Sequence, residues 1–217
     1  MANISNSIRI AVEFAKKWEK LYSGSPSQKV AISSNASPNT LVYAYWDSVG
    51  QVWTIGWGNT YYADGSRVKS GDVITRAQAD KLALDIMTGF EKELRKIVDY
   101  TNLTDNEYAA LLSISYNAGI GNFSASRIPY ALSTMSKQQV ASIIQDSIVT
   151  SKGKFVQGLK NRRVDESRLF LGIYNDLYSY YLRNASTINY AVVGTVVIAL
   201  TGYIYYLNKK GVFKKAA

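Results

Sequence analysis

The stretch Ala44-Tyr-Trp-Asp-Ser-Val-Gly-Gln-Val-Trp-Thr-Ile-Gly-Trp-Gly58 decides the fold class. Its β-branched and aromatic residues are interrupted by Gly50, and the stretch ends with two further glycines, Gly56 and Gly58. Such a run on both sides of a turn residue predicts a small hairpin sheet. The sequence before and after it has helical periodicity, so we predict an α+β fold in which helices dominate.

Helix-forming patterns flank this hairpin. We predict an early helix over Ile8 to Tyr22, with Glu19 near its C-terminal end, and a long helix over Arg76 to about Val98. A third helix, over Asp105 to Tyr116, is apolar on nearly every side after its first turn, as is typical of a helix at the centre of a domain. Capping boxes mark three helix starts, at Thr75 with Gln78, Thr104 with Glu107, and Ser136 with Gln139.

Composition restricts the chemistry that the chain can perform. The 217 residues include no cysteine and no histidine, which removes thiol nucleophiles, thiolate metal sites, the usual general base and the commonest metal ligand. We therefore expect no metal and no cofactor, and acid–base chemistry would depend on carboxylates. The net charge of +9 favours anionic partners. Because the basic residues are scattered rather than gathered into an aromatic-interleaved stripe, we do not expect nucleic acid among them.

The C-terminal segment differs from the rest of the chain. Ile188 to Leu207 is a 20-residue, mostly apolar run, and no charged residue occurs from Asn184 to Asn208. About 20 helical residues cross the hydrocarbon core of a bilayer, so we predict a transmembrane helix. The predicted organisation is a catalytic domain over 1–176, a connecting helix or linker over 177–187, a transmembrane helix over 188–207 and a basic tail over 208–217.

Motifs along the first three-quarters of the chain follow one another in a recognisable order. They are Glu19, Tyr45-Trp-Asp47, Thr54-Ile-Gly-Trp-Gly58, Leu103-Thr-Asp-Asn-Glu-Tyr-Ala-Ala-Leu-Leu-Ser113, Tyr116-Asn-Ala-Gly-Ile-Gly-Asn-Phe-Ser124 and Gly158-Leu-Lys-Asn-Arg-Arg-Val-Asp-Glu166. In this order they resemble the phage-type lysozymes of glycoside hydrolase family 24, which include the endolysins. The first three correspond to that family's catalytic signature.

The resemblance implies a mostly helical lysozyme-like fold, in which a small β-hairpin lobe faces a larger helical lobe across a saccharide cleft and a long helix joins them. It also implies a glycosidase that cleaves the MurNAc-GlcNAc β-1,4 bond of bacterial peptidoglycan. Paired carboxylates can perform that reaction without histidine or metal. Glu19 would be the general acid, Asp47 the base that activates water, and Thr54 the residue that positions this water. The substrate-binding residues would be Asn117, Gly121 and Asn122.

Two departures from the family pattern lie between the predicted acid and base. The 18 residues from Ser23 to Thr40, which include six serines and two of the three prolines, widen the gap between Glu19 and Asp47. We predict that this insertion is a surface loop beside the cleft. Six residues, where most relatives have five, separate Asp47 from Thr54. Because strand faces alternate, the extra residue would turn one side chain away unless a bulge absorbs it.

A third departure is Asn59, which stands where the family usually has a histidine. If that histidine forms an ion pair with an aspartate of the long helix, Asp85 would have only a neutral partner here.

Two other functions stay open at this point. A lytic transglycosylase would use Glu19 alone to protonate the glycosidic oxygen while a substrate hydroxyl attacks. An inactive lysozyme-like domain would serve as a wall-binding structural virion protein, although retention of Glu19, Asp47 and Thr54 argues against it. The predicted anchor would hold the domain facing the cell wall, in the host inner membrane or in a viral membrane, during wall penetration or lysis.

Overall fold

A computed structural model describes residues 1–174, apart from residues 26, 27, 34 and 49. Contacts divide the chain into the units Met1–Tyr174 and Asn175–Ala217, and every described residue belongs to the first. The predicted linker over 177–187, the predicted transmembrane helix from Ile188 to Leu207 and the predicted basic tail over 208–217 lie outside the described residues. Within the described part of the chain, no helix is long and apolar enough to cross a membrane.

The described residues contain seven helices and eight short strands in an α+β arrangement. The helices are α1 Ile4–Trp18, α2 Arg76–Leu94, α3 Asp105–Ala118, α4 Ile120–Ser124, α5 Ile128–Thr134, α6 Lys137–Asp146 and α7 Gln157–Phe170. The strands are β1 Tyr22–Ser25, β2 Gln28–Ala31, β3 Leu41–Tyr43, β4 Tyr45–Asp47, β5 Val52–Thr54, β6 Val73–Thr75, β7 Thr150–Ser151 and β8 Lys154–Phe155.

Helix α3 is the centre of the helical lobe, as its sequence predicts. All nine residues from Glu107 to Ser115 are buried, and α1, α2 and α7 pack against the helix. Leu111, Leu112 and Ile114 are completely excluded from solvent. Each such side chain contributes about 1.5–3 kcal/mol relative to an exposed position. The core of the domain is therefore built around one short helix.

The capping boxes are confirmed, but both bounds of α1 and the ends of α2 and α3 differ from the prediction, and α3 ends at Ala118 rather than Tyr116. The hydroxyls of Thr75, Thr104 and Ser136 each accept a hydrogen bond from the backbone three residues later. Helix α1 lies four residues earlier than predicted, because the Asn3 side chain accepts a hydrogen bond from the Asn6 N–H and caps the helix there. It ends at Trp18, and Tyr22 belongs to β1. Helix α2 ends at Leu94 rather than Val98.

The predicted hairpin of the small lobe is confirmed by the antiparallel pair β4–β5, and β3 pairs with β6. The insertion from Ser23 to Thr40 is only partly the predicted surface loop, because it begins with the hairpin β1–β2, which lies against β3 and β4. Strand β1 is joined to β3 by a hydrogen bond in which the Tyr43 N–H donates to Ser23 Oγ at 2.8 Å.

The second half of the insertion covers the beginning of α2. The backbone N–H groups of Arg76 and Ala77 donate to the carbonyls of Thr40 and Pro38 at 2.8 and 2.9 Å. These amides have no partner within their own helix, so the insertion satisfies two donors that would otherwise need water. The insertion is therefore an integrated part of the small lobe.

Candidate active site

Two clefts share a wall formed by Glu19, Gly58 and Thr60. The smaller cleft, of about 350 Å³, is also lined by Trp18, Lys20, Tyr22, Tyr45, Asp47 and Thr54. The larger cleft, of about 740 Å³, continues along α2 and α3 and is also lined by Asn59, Tyr61, Tyr62, Ala63, Gly65, Asp85, Ile86, Gly89, Phe90, Glu93, Tyr116, Asn117 and Ile120. The structure thus brings the three predicted catalytic residues to one cleft, with Glu19 at its junction with a larger groove.

Glu19 follows the last residue of α1. Its N–H donates to the Ala15 carbonyl at 2.8 Å, while its backbone is already extended, with φ −89° and ψ 108°. Arg162 Nη1 donates to Glu19 Oε1 at 2.6 Å. The other oxygen faces Gly58, where a Cβ atom would lie only 3.1 Å from Glu19 Oε2. Gly58 also has a φ of +84°, so both the backbone and the close approach favour glycine here.

Arg162 belongs to a buried network on α7. Its Nε lies 3.2 Å from Glu166 Oε1, which also accepts from Ser113 Oγ at 2.7 Å. Arg163 Nη1 lies 3.0 Å from Glu166 Oε2, and Arg163 also donates to Asn117 Oδ1. Burial lowers the pKa of Arg162, but the charges of Glu166 and Glu19 outweigh it and raise that pKa. Glu19 Oε1 is therefore held in place by a permanent cation, the guanidinium group of Arg162.

Asp47 and Thr54 lie on the same face of the β4–β5 hairpin. Thr54 is opposite Tyr45, and Asp47 lies two residues from Tyr45, so their side chains point the same way. Asp47 itself is opposite Val52, and Gln51, in the turn that joins the two strands, has a φ of +54°. The extra residue is therefore taken up by the turn. Among the three described residue pairs of the hairpin, Asp47 and Thr54 keep the same face and no bulge occurs.

Tyr45 lines the smaller cleft together with the two carboxyl groups. It is buried, and its ring meets that of Tyr22 at 5.7 Å, edge to face. Burial raises the pKa of the Tyr45 phenol, and the negative charges of Asp47 and then Glu19 raise it further. The phenol stays neutral at any working pH and adds no negative charge to the cleft.

Of the three residues expected to bind substrate, only Asn117 lines one of the two clefts. Gly121 and Asn122 are exposed and line neither of them, and Asn122 Nδ2 donates to the Ala118 carbonyl at 2.8 Å. The expectation that Asp85 has only a neutral partner was wrong, because Lys81 Nζ lies 2.6 Å from Asp85 Oδ2. Within the described part of the chain, no group of three or more acidic residues could hold a metal ion.

The sequence assigns no function to two residues that the structure places at the site. Arg162 contacts Glu19 across 143 positions, and Tyr116 lines the larger cleft beside it. For Arg162 a sequence signal exists, because Arg162 and Arg163 precede Glu166 by four and three residues. On a helix this spacing favours ion pairs, which could be exposed or buried. For the hydroxyl of Tyr116 no comparable signal exists.

Comparisons with known proteins agree with this architecture. The family model for phage lysozyme matches residues 40–166. The endolysin of Bacillus phage PZA is 34% identical over 118 residues, or 54% of this chain and 43% of that endolysin. The endolysin of Salmonella phage P22 is 34% identical over 130 residues, or 59% of this chain and 85% of that endolysin. This chain therefore spans less than half the length of the Bacillus phage protein.

The solved structure of an endolysin from Escherichia coli O157:H7 phage FAHEc1 superposes with a TM-score of 0.60 at 31% identity, covering 77% of this chain and 95% of that one. The family match begins after α1, so it does not include Glu19. The correspondence of Glu19 therefore depends on the fold and on its position in the cleft.

Proposed function

This chain belongs to the phage lysozyme family, and on that premise we propose that it is a glycoside hydrolase that cleaves the MurNAc-GlcNAc β-1,4 bond of bacterial peptidoglycan. The observation that carries the proposal is that Glu19, Asp47 and Thr54 line one cleft. Glu19 comes from the end of α1, whereas Asp47 and Thr54 come from the two strands of the hairpin. A glycosidase needs two carboxyl groups beside the scissile bond, one as acid and one as base or nucleophile.

Glu19 is the proposed general acid. The ion pair from Arg162 engages Oε1, which leaves Oε2, beside Gly58, to carry the proton towards the glycosidic oxygen. Proton donation by a positioned side chain contributes about 10²–10⁴-fold to a rate. Because Arg162 also pairs with Glu166, its positive charge is shared between two carboxylates. Arg162 therefore holds the carboxylates of both residues in place.

Asp47 is the proposed base, and Thr54 the residue that positions the attacking water. The hydroxyl of Thr54 is 3.4 Å from the Val52 carbonyl, at the long limit of a hydrogen bond. A water on the same face of the hairpin would compete with this carbonyl for the hydroxyl. Asp47 would then accept the proton of this water as it attacks the anomeric carbon.

We also propose that the chain is anchored in a membrane through Ile188 to Leu207, with the catalytic domain facing the wall during wall penetration or lysis by a phage. The support is the uncharged sequence of that segment. The full-length chain should float with phospholipid vesicles, and a variant with both Val196→Lys and Ile198→Asp should stay in solution, because each central charge costs about 2.5–3.5 kcal/mol of insertion free energy. Equal flotation of the two proteins would contradict the anchor.

Mass spectrometry of peptidoglycan digested by the full-length chain tests the reaction, with Glu19→Gln as the matched blank. Muropeptides with reducing ends that are missing from the Glu19→Gln digest are expected for a hydrolase. Products with anhydro ends would instead identify a lytic transglycosylase. No products from the wild-type chain would favour an inactive wall-binding domain.

A further inference from the structure

Two side chains that the proposed reaction does not use meet behind the Gly58 turn, which consists of residues 55–59. Asn59 Nδ2 donates to Tyr116 Oη at 3.2 Å, and this hydroxyl donates to the Trp57 carbonyl at 3.3 Å. Asn59 is only 4% exposed, and its Oδ1 accepts no hydrogen bond from the described residues. The Tyr116 hydroxyl is therefore the side-chain partner of a buried amide.

The Gly58 turn is fixed on both sides. Ile55 and Asn59 exchange two backbone hydrogen bonds, of 2.9 and 3.0 Å, which close the turn on itself. The side chain of Trp57 is buried, and its Nε1 donates to Asp80 Oδ1 on α2 at 2.8 Å. Tyr116 supplies the corresponding connection to α3.

The Gly58 turn also borders Glu19, the proposed general acid. Gly58 approaches Glu19 Oε2 so closely that a Cβ atom would lie 3.1 Å away. Tyr116 forms no direct hydrogen bond to Glu19 among the described contacts. It is nevertheless near enough that, after burial, the Glu19 charge is the next cause that raises the Tyr116 pKa to about 12. The phenol therefore stays protonated and keeps its hydrogen to donate to Trp57.

We infer that Tyr116, through its contacts with Asn59 and Trp57, is a positioning residue that holds the Gly58 turn against Glu19 Oε2 and so fixes the oxygen that donates the proton. The inference rests on the proposed function, because it assigns the effect to the same acid. Displacing a reacting group by about 1 Å can reduce a rate about 10²-fold even when substrate binding is intact. The hydroxyl should therefore contribute to kcat and not to KM.

Tyr116→Phe removes this hydroxyl and retains the ring, which packs edge to face on Phe90 at 5.7 Å and lines the larger cleft. We expect kcat on soluble peptidoglycan fragments to fall about 10- to 100-fold, with KM changed less than about twofold. The matched control is Tyr108→Phe, on the same helix. The Tyr108 hydroxyl donates to Glu91 Oε1 at 3.1 Å, and Tyr108 lines neither cleft. This substitution should lower Tm and leave kcat unchanged well below Tm. Unchanged kcat in Tyr116→Phe, or equal losses in both variants, would overturn the inference.

Asn59→Ala tests whether the two side chains act together. If they act through one contact, the double variant with Tyr116→Phe should have about the kcat of the slower single variant. Losses that multiply would overturn the inference.

A readout independent of turnover separates this inference from the proposed function. The carboxyl ¹³C signal of Glu19, assigned by its absence in Glu19→Gln, should move in Tyr116→Phe and stay in Tyr108→Phe at one pH. If it moves while the wild-type chain cleaves nothing, the hydrolase proposal fails and the positioning role stands. If it stays in both variants, the positioning role fails.

Discussion

The two proposed catalytic carboxyl groups lie on opposite kinds of structure, Glu19 on the helical core and Asp47 on a short hairpin. Glu19 is joined to the helical core through Arg162, of which 5% of the side chain is exposed, and through the fully buried Glu166. Asp47 ends a strand of three residues whose neighbour, Trp46, is 41% exposed. The position of the acid is therefore determined by long-range packing, and that of the base by one hairpin turn. This difference explains how the hairpin takes up an extra residue without disturbing Glu19.

The largest loss of stability is expected at Arg162, which joins Glu19 to the buried core. Arg162→Met would leave Glu166 buried with half of its ion pairs and Glu19 without a cation, so the free energy of unfolding should fall by about 3–5 kcal/mol. Lys96→Met, which removes an exposed pair with Glu93, should cost less than about 1 kcal/mol. Urea denaturation of the two variants measures this contrast. Similar losses in both would contradict a difference between core and surface.

Crowding at Glu19 should separate activity from stability. Gly58→Ala and Gly65→Ala both place a side chain at a φ of +84°, so each should lose about 1–2 kcal/mol of stability. Only at Gly58 would the new Cβ meet Glu19, because nothing lies within 4 Å of that position at Gly65. Turnover should therefore fall in Gly58→Ala and persist in Gly65→Ala. Equal turnover in the two variants would show that the close approach has no role in catalysis.

The turn of the β4–β5 hairpin, which carries Asp47, should tolerate substitution. Gln51 has a φ of +54°, a conformation that glycine adopts more readily than other residues. In Gln51→Gly the free energy of unfolding should stay the same or rise by up to about 1 kcal/mol, so Tm should not fall. We expect kcat to be unchanged. The comparison variant is Gln51→Ala, which keeps the backbone strain and should not be stabilised. A large loss of kcat in Gln51→Gly would mean that Asp47 needs a rigid turn.

The smallest effect concerns the outer edge of the helical lobe. The Asn6 side chain and then the Asn3 N–H donate to Asp105 and hold the pKa of its carboxyl below the usual value. A carboxyl with a lowered folded-state pKa stabilises the fold above its unfolded pKa of about 3.9, and this is lost as pH falls through the folded value. Asp105→Asn should therefore be less stable than wild type at pH 7, and the difference should narrow as the pH falls below about 3.9. A difference in the free energy of unfolding that does not narrow on acidification would contradict this.

Sequence alone predicts the parts of the molecule that local physics determines. The apolar surface of α3, the three capping boxes and the β4–β5 hairpin follow from propensity and periodicity. The end of α1 and the β1–β2 hairpin were missed because the Ser/Pro-rich composition of the insertion outweighs its few β-forming residues. The contacts that define the acid join Arg162 to Glu19 across 143 positions and Tyr116 to Asn59 across 57. No periodicity indicates such pairs, because tertiary packing alone brings them together.

Turnover of Glu19→Gln and Asp47→Asn, with Asp85→Asn as control, tests the central claim most directly. All three replace a carboxyl group that lines a cleft by an amide, and Asp85 lines the larger cleft and is paired with Lys81. The account predicts that release of reducing ends falls at least about 10²-fold in the first two variants and stays near the wild-type rate in the third. Wild-type turnover in Glu19→Gln, at an unchanged Tm, would contradict the assignment of the acid and with it the account of the cleft.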